Sequence, residues 1–154
     1  AALNRRGRDY RYELVGAGDP GYIQTMARRL GVADKVSVLG KKSRDDVVRW
    51  MDHLDMYAQA SMTEGAPRAL LEAMSRATPS LGSTAGGIPE LLSAHCLFRN
   101  KNVKSLMETL EFVSSHKLEI AREVYEKSKE YSAVAIEARR KDFFRKFNQG
   151  DRGP

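Results

Sequence analysis

The chain has 154 residues, of which 42% are hydrophobic and 30% charged, and this composition predicts one globular domain with a single core. Its 26 Lys and Arg residues exceed its 20 Asp and Glu residues, which gives a formal net charge of +6. The basic residues lie in short groups without interleaved aromatic residues. This pattern argues against a nucleic-acid-binding protein. It is compatible with attraction of the basic residues to phosphate groups or to an anionic membrane surface.

The sequence predicts no membrane span and no signal peptide, and it contains one cysteine. No apolar run approaches the length of a membrane span, and the first ten residues lack the apolar core of a signal peptide. One cysteine, Cys96, excludes a disulfide framework and a Cys-based metal site. We therefore expect a buried structural thiol and a cytoplasmic protein.

The predicted elements alternate along the chain. YRYELVG predicts a strand, and PGYIQTMARRLG predicts a helix that Asp19 caps, Pro20 begins and Gly31 ends. KVSVLG is a second strand, and Ser43 caps the helix RDDVVRWM. The strand LDMYAQAS, the helix PRALLEAMSRA, and the short strands PSLGST and HCLF follow, and the chain is helical from Lys104 onward. This order predicts an α/β fold with a Rossmann-like, doubly wound parallel sheet, whose ligands bind at the carboxyl ends of the strands.

The first glycine-rich loop has the spacing G-x-G-x-x-G at Gly16, Gly18 and Gly21. A dinucleotide-binding site also needs an acidic residue about 20 positions later, where this chain has Lys41 instead. Pro20 removes one N–H group from the start of the helix. Three interpretations stay open here: a plain glycine turn, a dinucleotide site, or a loop that borders another ligand.

Two carboxylates flank the start of the helix in TEGAPRALLEAM. Glu72 lies about 200° around the helix from the buried residue Leu70 and so points away from the core. Glu64 is eight positions earlier, about 12 Å along a helix axis, which is too far for a glycosidase pair and suits two contacts on one elongated ligand. The alternative is a salt-bridge ladder of Glu64, Arg68, Glu72 and Arg76 on a solvated face.

A glycine pair, Gly86-Gly87, follows the next strand. Glycines there allow backbone N–H groups to approach an anion or a sugar closely, and a plain tight turn is the alternative.

In this order, the motifs resemble the C-terminal, donor-binding domain of retaining glycosyltransferases with the GT-B fold, the group-1 family often found in polysaccharide biosynthesis. Its Glu-x7-Glu motif is similar to Glu64-Gly-Ala-Pro-Arg-Ala-Leu-Leu-Glu72. LVGAGDPG is similar to its LVGxGP turn, and TPSLGSTAGGIPELL to its G-x-P-V-V-A-T-x-x-G-G-I-P-E run. EYS stands where the family has F-S-W. The resemblance extends from about Tyr10 to Phe147 and identifies G-x-G-x-x-G as the family's turn.

The resemblance implies a role for each matched residue. Glu64 would be the catalytic-site carboxylate that contacts hydroxyls of the donor sugar, and Glu72 would bind the ribose hydroxyls. Backbone groups would complete the donor site: Gly65, Ala66 and Leu71 beside the sugar and diphosphate, Gly16 and Gly18 beside the cleft, and Gly40 and Lys41 near the base. The implied reaction transfers a hexose from a nucleoside diphosphate sugar with retention, without a metal or another cofactor.

The chain also departs from the family pattern. Family members are roughly twice as long, so we expect a fragment that is inactive alone. We expect it to lack the N-terminal domain, which would bind an acceptor glycan or lipid-linked glycan, and also the first strand of the C-terminal domain. No residue here takes the phosphate-neutralising role of the loop after that strand. The sheet would then close up, be completed by another chain, or be marginally stable. A stand-alone nucleotide-binding module and a non-catalytic interaction domain are the alternative functions.

Overall fold

A computed structural model describes residues 1–148 and shows an α/β protein with two compact units. The division falls between Trp50 and Met51, inside one helix, and each unit has a parallel sheet of its own. The prediction that residues 1–154 form a single domain stays a prediction.

The first unit is built around two parallel strands. In chain order it contains α1 (Ala2–Arg5), β1 (Tyr12–Leu14), α2 (Pro20–Arg29), a 3-10 turn (Ala33–Lys35), β2 (Val36–Val38) and most of α3 (Arg44–Asp52). Tyr12 of β1 lies opposite Val36 of β2. The core of this unit is small, and its buried apolar residues are Leu3 and Ala27.

The helix boundaries in this unit follow the capping residues that the sequence predicts. The Asp19 carboxylate accepts a hydrogen bond from the Gly21 amide at 2.8 Å, and Pro20 is the first residue of α2. After α2 the chain turns at Gly31, whose φ of +67° favours glycine. The Ser43 hydroxyl accepts a hydrogen bond from the Asp46 amide at 3.2 Å and caps α3.

The second unit has three parallel strands in the order β3-β4-β5. Its elements are β3 (Tyr57–Gln59), α4 (Arg68–Ser75), β4 (Ser80–Ser83), 3-10 turns at Ile88–Glu90 and Ala94–Cys96, β5 (Leu97–Phe98), α5 (Val103–Ser115), α6 (Lys117–Lys129) and α7 (Ala133–Asn148). The prediction of one helical turn in IPELL is confirmed by the turn at Ile88–Glu90.

The main core surrounds β4, the central strand of this sheet, all of whose residues are buried. Leu70 and Met74 of α4 are fully buried, and Ile120 and Val124 of α6 belong to the same apolar cluster. Cys96 is also fully buried, which confirms the prediction of a structural thiol. Burial raises the pKa of this thiol to about 11.

The strands do not form one continuous sheet. Residues 1–148 place β1 and β2 in one sheet and β3, β4 and β5 in another, which disagrees with the first of the three alternatives, a sheet that closes up. The α/β class with parallel strands is confirmed.

Helix α7 differs from the other long helices because none of its side chains is buried. It exposes the aromatic residues Phe143, Phe144 and Phe147. Across residues 1–148, no helix combines the length and the apolar composition that crossing a membrane requires.

Candidate functional site

Two loops meet at the carboxyl end of the sheet in the second unit, one after β3 and one after β4. A Cβ atom at Gly86 would lie 1.7 Å from the Glu64 carbonyl oxygen, and one at Gly87 would lie 2.6 Å from the Gly65 carbonyl oxygen. Gly86 also has a φ of +51°. The glycine pair is therefore required by backbone packing against the Glu64 loop, which neither a plain tight turn nor ligand binding alone predicts.

The Glu64 carboxylate is held in place by a network of side chains. Its Oε2 atom accepts hydrogen bonds from the Ser61 hydroxyl at 2.8 Å and from Gln59 Nε2 at 3.1 Å. Gln59 Nε2 also donates to the Ser61 hydroxyl at 2.8 Å, and Gln59 Oε1 accepts from the Tyr57 hydroxyl at 2.6 Å. The Ser83 hydroxyl of β4 donates to the Ser61 carbonyl oxygen at 2.7 Å.

This network leaves the two oxygens of the carboxylate in different states. Oε2 has two donors, whereas Oε1 accepts no hydrogen bond from the residues that the structure describes. Glu64 as a whole residue is half-buried. A carboxylate oxygen only accepts hydrogen bonds, so the ligand group that meets it must be a donor such as a hydroxyl.

Glu72 lies on the outer face of α4. Leu70, Ala73 and Met74 of this helix are buried, while Glu72 is exposed, as the helical periodicity predicts. Its carboxylate forms no ion pair with any described residue. Glu72 is therefore available to a ligand.

The salt-bridge ladder is not formed. Glu64 precedes the first residue of α4, so it lacks the helical spacing to Arg68 that the ladder needs. Arg76 pairs with Asp52 instead, with Nε–Oδ1 and Nη2–Oδ2 distances of 2.6 and 2.9 Å. The hydrogen bond from Arg76 and its charge lower the pKa of Asp52.

The chain between Glu64 and α4 exposes its backbone. Gly65 and Ala66 are both exposed, and the Ala66 carbonyl accepts a hydrogen bond from the Arg68 amide at 2.9 Å. The Leu71 amide donates to the Pro67 carbonyl at 3.1 Å, so any contact of the Leu71 amide with a ligand would share that hydrogen. Pro67, the predicted first residue of this helix, stands instead at the N-cap position, and α4 begins one residue later at Arg68.

The first unit brings together the loops after β1 and β2. The Gly16 amide donates to the Gly40 carbonyl at 3.0 Å, and Gly40 has a φ of +69°. Gly18 and Lys41 are exposed. The Gly21 amide is occupied by the Asp19 side chain. Pro20 has no N–H group, so the first two residues of α2 offer no free amide to a pyrophosphate, which argues against the dinucleotide interpretation.

A polar cluster elsewhere in the second unit does not form a nucleophilic site. Ser93 donates to Glu123, and His95 Nε2 lies 3.0 Å from the Ser93 hydroxyl and 3.2 Å from a Glu123 carboxylate oxygen. Both partners thus meet the same ring nitrogen, whereas a catalytic triad places the nucleophile and the carboxylate on opposite nitrogens of the histidine.

Sequence reasoning missed the residues that hold Glu64. Gln59 and Ser61 stand at alternate positions at the end of β3, and such positions share one side of an extended chain. Two polar side chains on one side of a strand end, shortly before a carboxylate, form a pattern that could have identified them.

Known proteins resemble this chain in sequence. The family described as "Glycosyl transferases group 1" matches residues 1–132. Protein CapJ of Staphylococcus aureus is 31% identical over 136 residues, which are 88% of this chain and 35% of CapJ. The amylovoran biosynthesis glycosyltransferase AmsK of Erwinia amylovora is 32% identical over 97 residues, which are 58% of this chain and 24% of AmsK. The chain spans about a third or less of the length of these relatives.

Solved structures show the same fold. HepE of Anabaena, crystallised with UDP, superposes with a TM-score of 0.78 at 22% identity, covering 88% of this chain and 40% of HepE. A glycosyltransferase of Rickettsia africae has a TM-score of 0.78 at 16% identity, covering 94% of this chain and 41% of that protein. Because the family match extends over 132 of 154 residues, the chain belongs to the group 1 glycosyl transferases.

Proposed function

We propose that this chain is the nucleotide-sugar donor-binding domain of a retaining, hexose-transferring glycosyltransferase in polysaccharide or glycoconjugate biosynthesis. Relatives named for amylovoran and colanic acid biosynthesis support the pathway class. HepE, which has this fold, has been crystallised with UDP and with UDP-glucose, which supports a nucleotide sugar as the ligand. The observation that carries the proposal is the Glu64 carboxylate, held at a sheet edge with one oxygen free to accept a hydrogen bond.

Each end of such a donor has a matching group in the second unit. Sugar hydroxyls are donors and suit Glu64 Oε1. Ribose hydroxyls suit the exposed carboxylate of Glu72, which has no ion pair among the described residues to compete with them. Between these carboxylates in sequence lies the N-terminal end of α4, where the Arg68 amide is bonded to Ala66 but the Ala69 and Leu70 amides have no partner among the described residues and would favour a diphosphate.

The proposed chemistry is one of positioning. Transfer would break the bond between the anomeric carbon and the diphosphate oxygen, and the diphosphate would leave with the electron pair. An acceptor hydroxyl would form the new glycosidic bond and give its proton to the departing diphosphate. Glu64 would orient the sugar, and α4 would face the charge on the leaving group. The proposal includes no metal and no cofactor besides the donor, so we expect chelators to leave donor binding unchanged.

Further parts of the proposal concern the rest of the protein. Gly16, Gly18, Gly40 and Lys41 are assigned to donor binding through the family resemblance. An acceptor glycan or lipid-linked glycan would bind a separate domain, without which this chain is inactive. A cytoplasmic location with peripheral membrane contact accords with the net charge of +6.

Donor binding tests the proposal directly. We expect wild-type chain to bind UDP or GDP and their sugars weakly in calorimetric titrations. Glu72→Ala should weaken binding about tenfold to a hundredfold, because hydrogen bonds to a charged group contribute about 1.5–3 kcal/mol. Glu119→Ala is the matched control, since Glu119 is also an exposed helical glutamate.

Three other results would each contradict part of the proposal. Equal binding by wild type and Glu72→Ala would remove Glu72 from the site. NAD bound as tightly as nucleoside diphosphates would favour a dinucleotide-binding module. No shift of melting temperature with any nucleotide would favour a non-catalytic interaction domain.

A further inference from the structure

We propose that Gln59 and Ser61 are positioning residues, which hold the Glu64 carboxylate so that Oε1 meets the sugar of the donor. This inference rests on the proposed function, and it adds two residues that lie outside the Glu-x7-Glu motif. It follows from the hydrogen-bond network at the end of β3.

The side-chain amide of Gln59 has one favourable orientation. Its Nε2 atom donates to both the Ser61 hydroxyl and Glu64 Oε2, at 2.8 and 3.1 Å, which uses both of its hydrogens. Its Oε1 atom accepts from the Tyr57 hydroxyl at 2.6 Å. A flipped amide would direct an oxygen at the Glu64 carboxylate and repel it. The Glu64 carboxylate, which only accepts, thereby selects the orientation in which Gln59 donates to it, and the Tyr57 hydroxyl donates to the amide oxygen on the other side.

Ser61 links the network to the centre of the sheet. Its hydroxyl accepts from Gln59 and donates to Glu64, while its carbonyl accepts from the Ser83 hydroxyl. Ser83 lies on the central strand β4 and is fully buried. The backbone of Glu64 is itself packed against Gly86. Both the main chain and the carboxylate of Glu64 are thus anchored to rigid elements before a ligand arrives.

Loss of the network should weaken the binding of the sugar part of the donor and leave the binding of the nucleotide part unchanged. Two donors fill Oε2 and leave Oε1 as the acceptor for a sugar hydroxyl. Without these donors the carboxylate rotates among several rotamers, and the sugar contact becomes less favourable. The sugar preference, defined as the dissociation constant of a nucleoside diphosphate divided by that of its nucleotide sugar, is therefore the quantity to measure.

The experiment compares Gln59→Met, Ser61→Ala and Ser61→Thr in the full chain. Calorimetric titrations use UDP against UDP-glucose and GDP against GDP-mannose, and the pair with the larger wild-type sugar preference is followed. We expect Gln59→Met and Ser61→Ala to reduce the preference about two- to tenfold, as for the loss of one or two hydrogen bonds. The affinity for the free nucleotide should not change. Ser61→Thr keeps the hydroxyl and should retain the preference.

A double variant separates positioning from a general structural effect. In the background of Glu64→Ala, Gln59→Met should cause no further loss of sugar preference, because its action runs through Glu64. An equal loss with and without the Glu64 carboxylate would overturn the inference. So would unchanged preference in both Gln59→Met and Ser61→Ala, or an equal fall in the affinity for nucleotide and nucleotide sugar.

Failure of the proposed function would look different. If the wild-type chain bound neither nucleotide sugar more tightly than the corresponding nucleoside diphosphate, the sugar contact of Glu64 itself would be refuted, and the inference with it. If Ser61→Ala did not fold, Gln59→Met would decide alone, since methionine keeps the chain length of glutamine and removes its donors. Retained nucleotide affinity reports the folded state of each variant.

Discussion

Replacing Gly86 with alanine would test the close packing of the two loops at the candidate site. The φ of +51° at Gly86 costs a residue with a Cβ about 1–2 kcal/mol. A Cβ 1.7 Å from the Glu64 carbonyl oxygen would also have to move by about 1.6 Å to reach an ordinary carbon–oxygen contact. Because the obstacle is backbone, no side-chain rotation relieves it, and overpacking of this kind costs about 1–3 kcal/mol.

Together these effects predict that Gly86→Ala lowers the free energy of unfolding by about 2–5 kcal/mol. An unfolding entropy of about 2.1 cal/mol/K per residue gives about 0.3 kcal/mol/K for this chain, so the melting temperature should fall by about 6–15 °C. Thermal unfolding followed by circular dichroism or calorimetry measures the shift. Binding of nucleotide sugars below that temperature should weaken too, since the alanine displaces Glu64.

Two glycine controls separate the contributions. Gly31 has a φ of +67°, and no atom lies within 4 Å of the position that a Cβ would take there, so Gly31→Ala should show only the backbone cost, about 3–6 °C. Gly65 has neither a left-handed φ nor a neighbour within 4 Å, and Gly65→Ala should leave the melting temperature almost unchanged. If Gly86→Ala shifted the melting temperature no more than Gly31→Ala, the close approach of the loops would be refuted.

Three further predictions concern stability and reactivity. The pKa of Asp52 is lowered by Arg76, so the ion pair stabilises the fold above the ordinary carboxyl pKa of about 3.9 and is lost as the pH falls through the lowered value. Asp52→Asn should therefore melt earlier at pH 7, and the two melting temperatures should converge near pH 2; a constant difference would contradict the assignment. With a pKa of about 11, Cys96 should react with iodoacetamide at pH 8 far more slowly than free cysteine does, until guanidinium unfolds the chain. Leu70→Ala should cost about 2–5 kcal/mol in urea titrations, whereas Leu118→Ala, at a residue that is 79% exposed, should stay within about 0.5 kcal/mol.

Much of the secondary structure was predictable because its signals are local. Asp19 and Ser43 cap helices through bonds to amides two or three residues away, and Gly31 turns the chain where a left-handed φ is needed. The exposure of Glu72 follows from helical periodicity and the position of Leu70. Each of these features depends on residues within one or two turns, so the sequence alone determines them.

Long-range partners were decided by the tertiary structure. Arg76 has a glutamate four residues before it, yet it pairs with Asp52, which is 24 positions away, through two hydrogen bonds to the two carboxylate oxygens. The glycine pair at Gly86 is needed because a loop more than 20 residues earlier packs its backbone there. No local pattern contains the position of such a distant segment.

The sequence by itself determined the α/β class and the starts of α2 and α3, and it predicted the two glutamates of the candidate site, because periodicity, capping and motif spacing are properties of short segments. Only the tertiary structure decided that the strands form two sheets, and that Gln59 and Ser61 hold the Glu64 carboxylate with one oxygen free. Hydrogen bonds of that kind depend on the directions of side chains in three dimensions, and these directions are set only once the strand ends and loops have packed together.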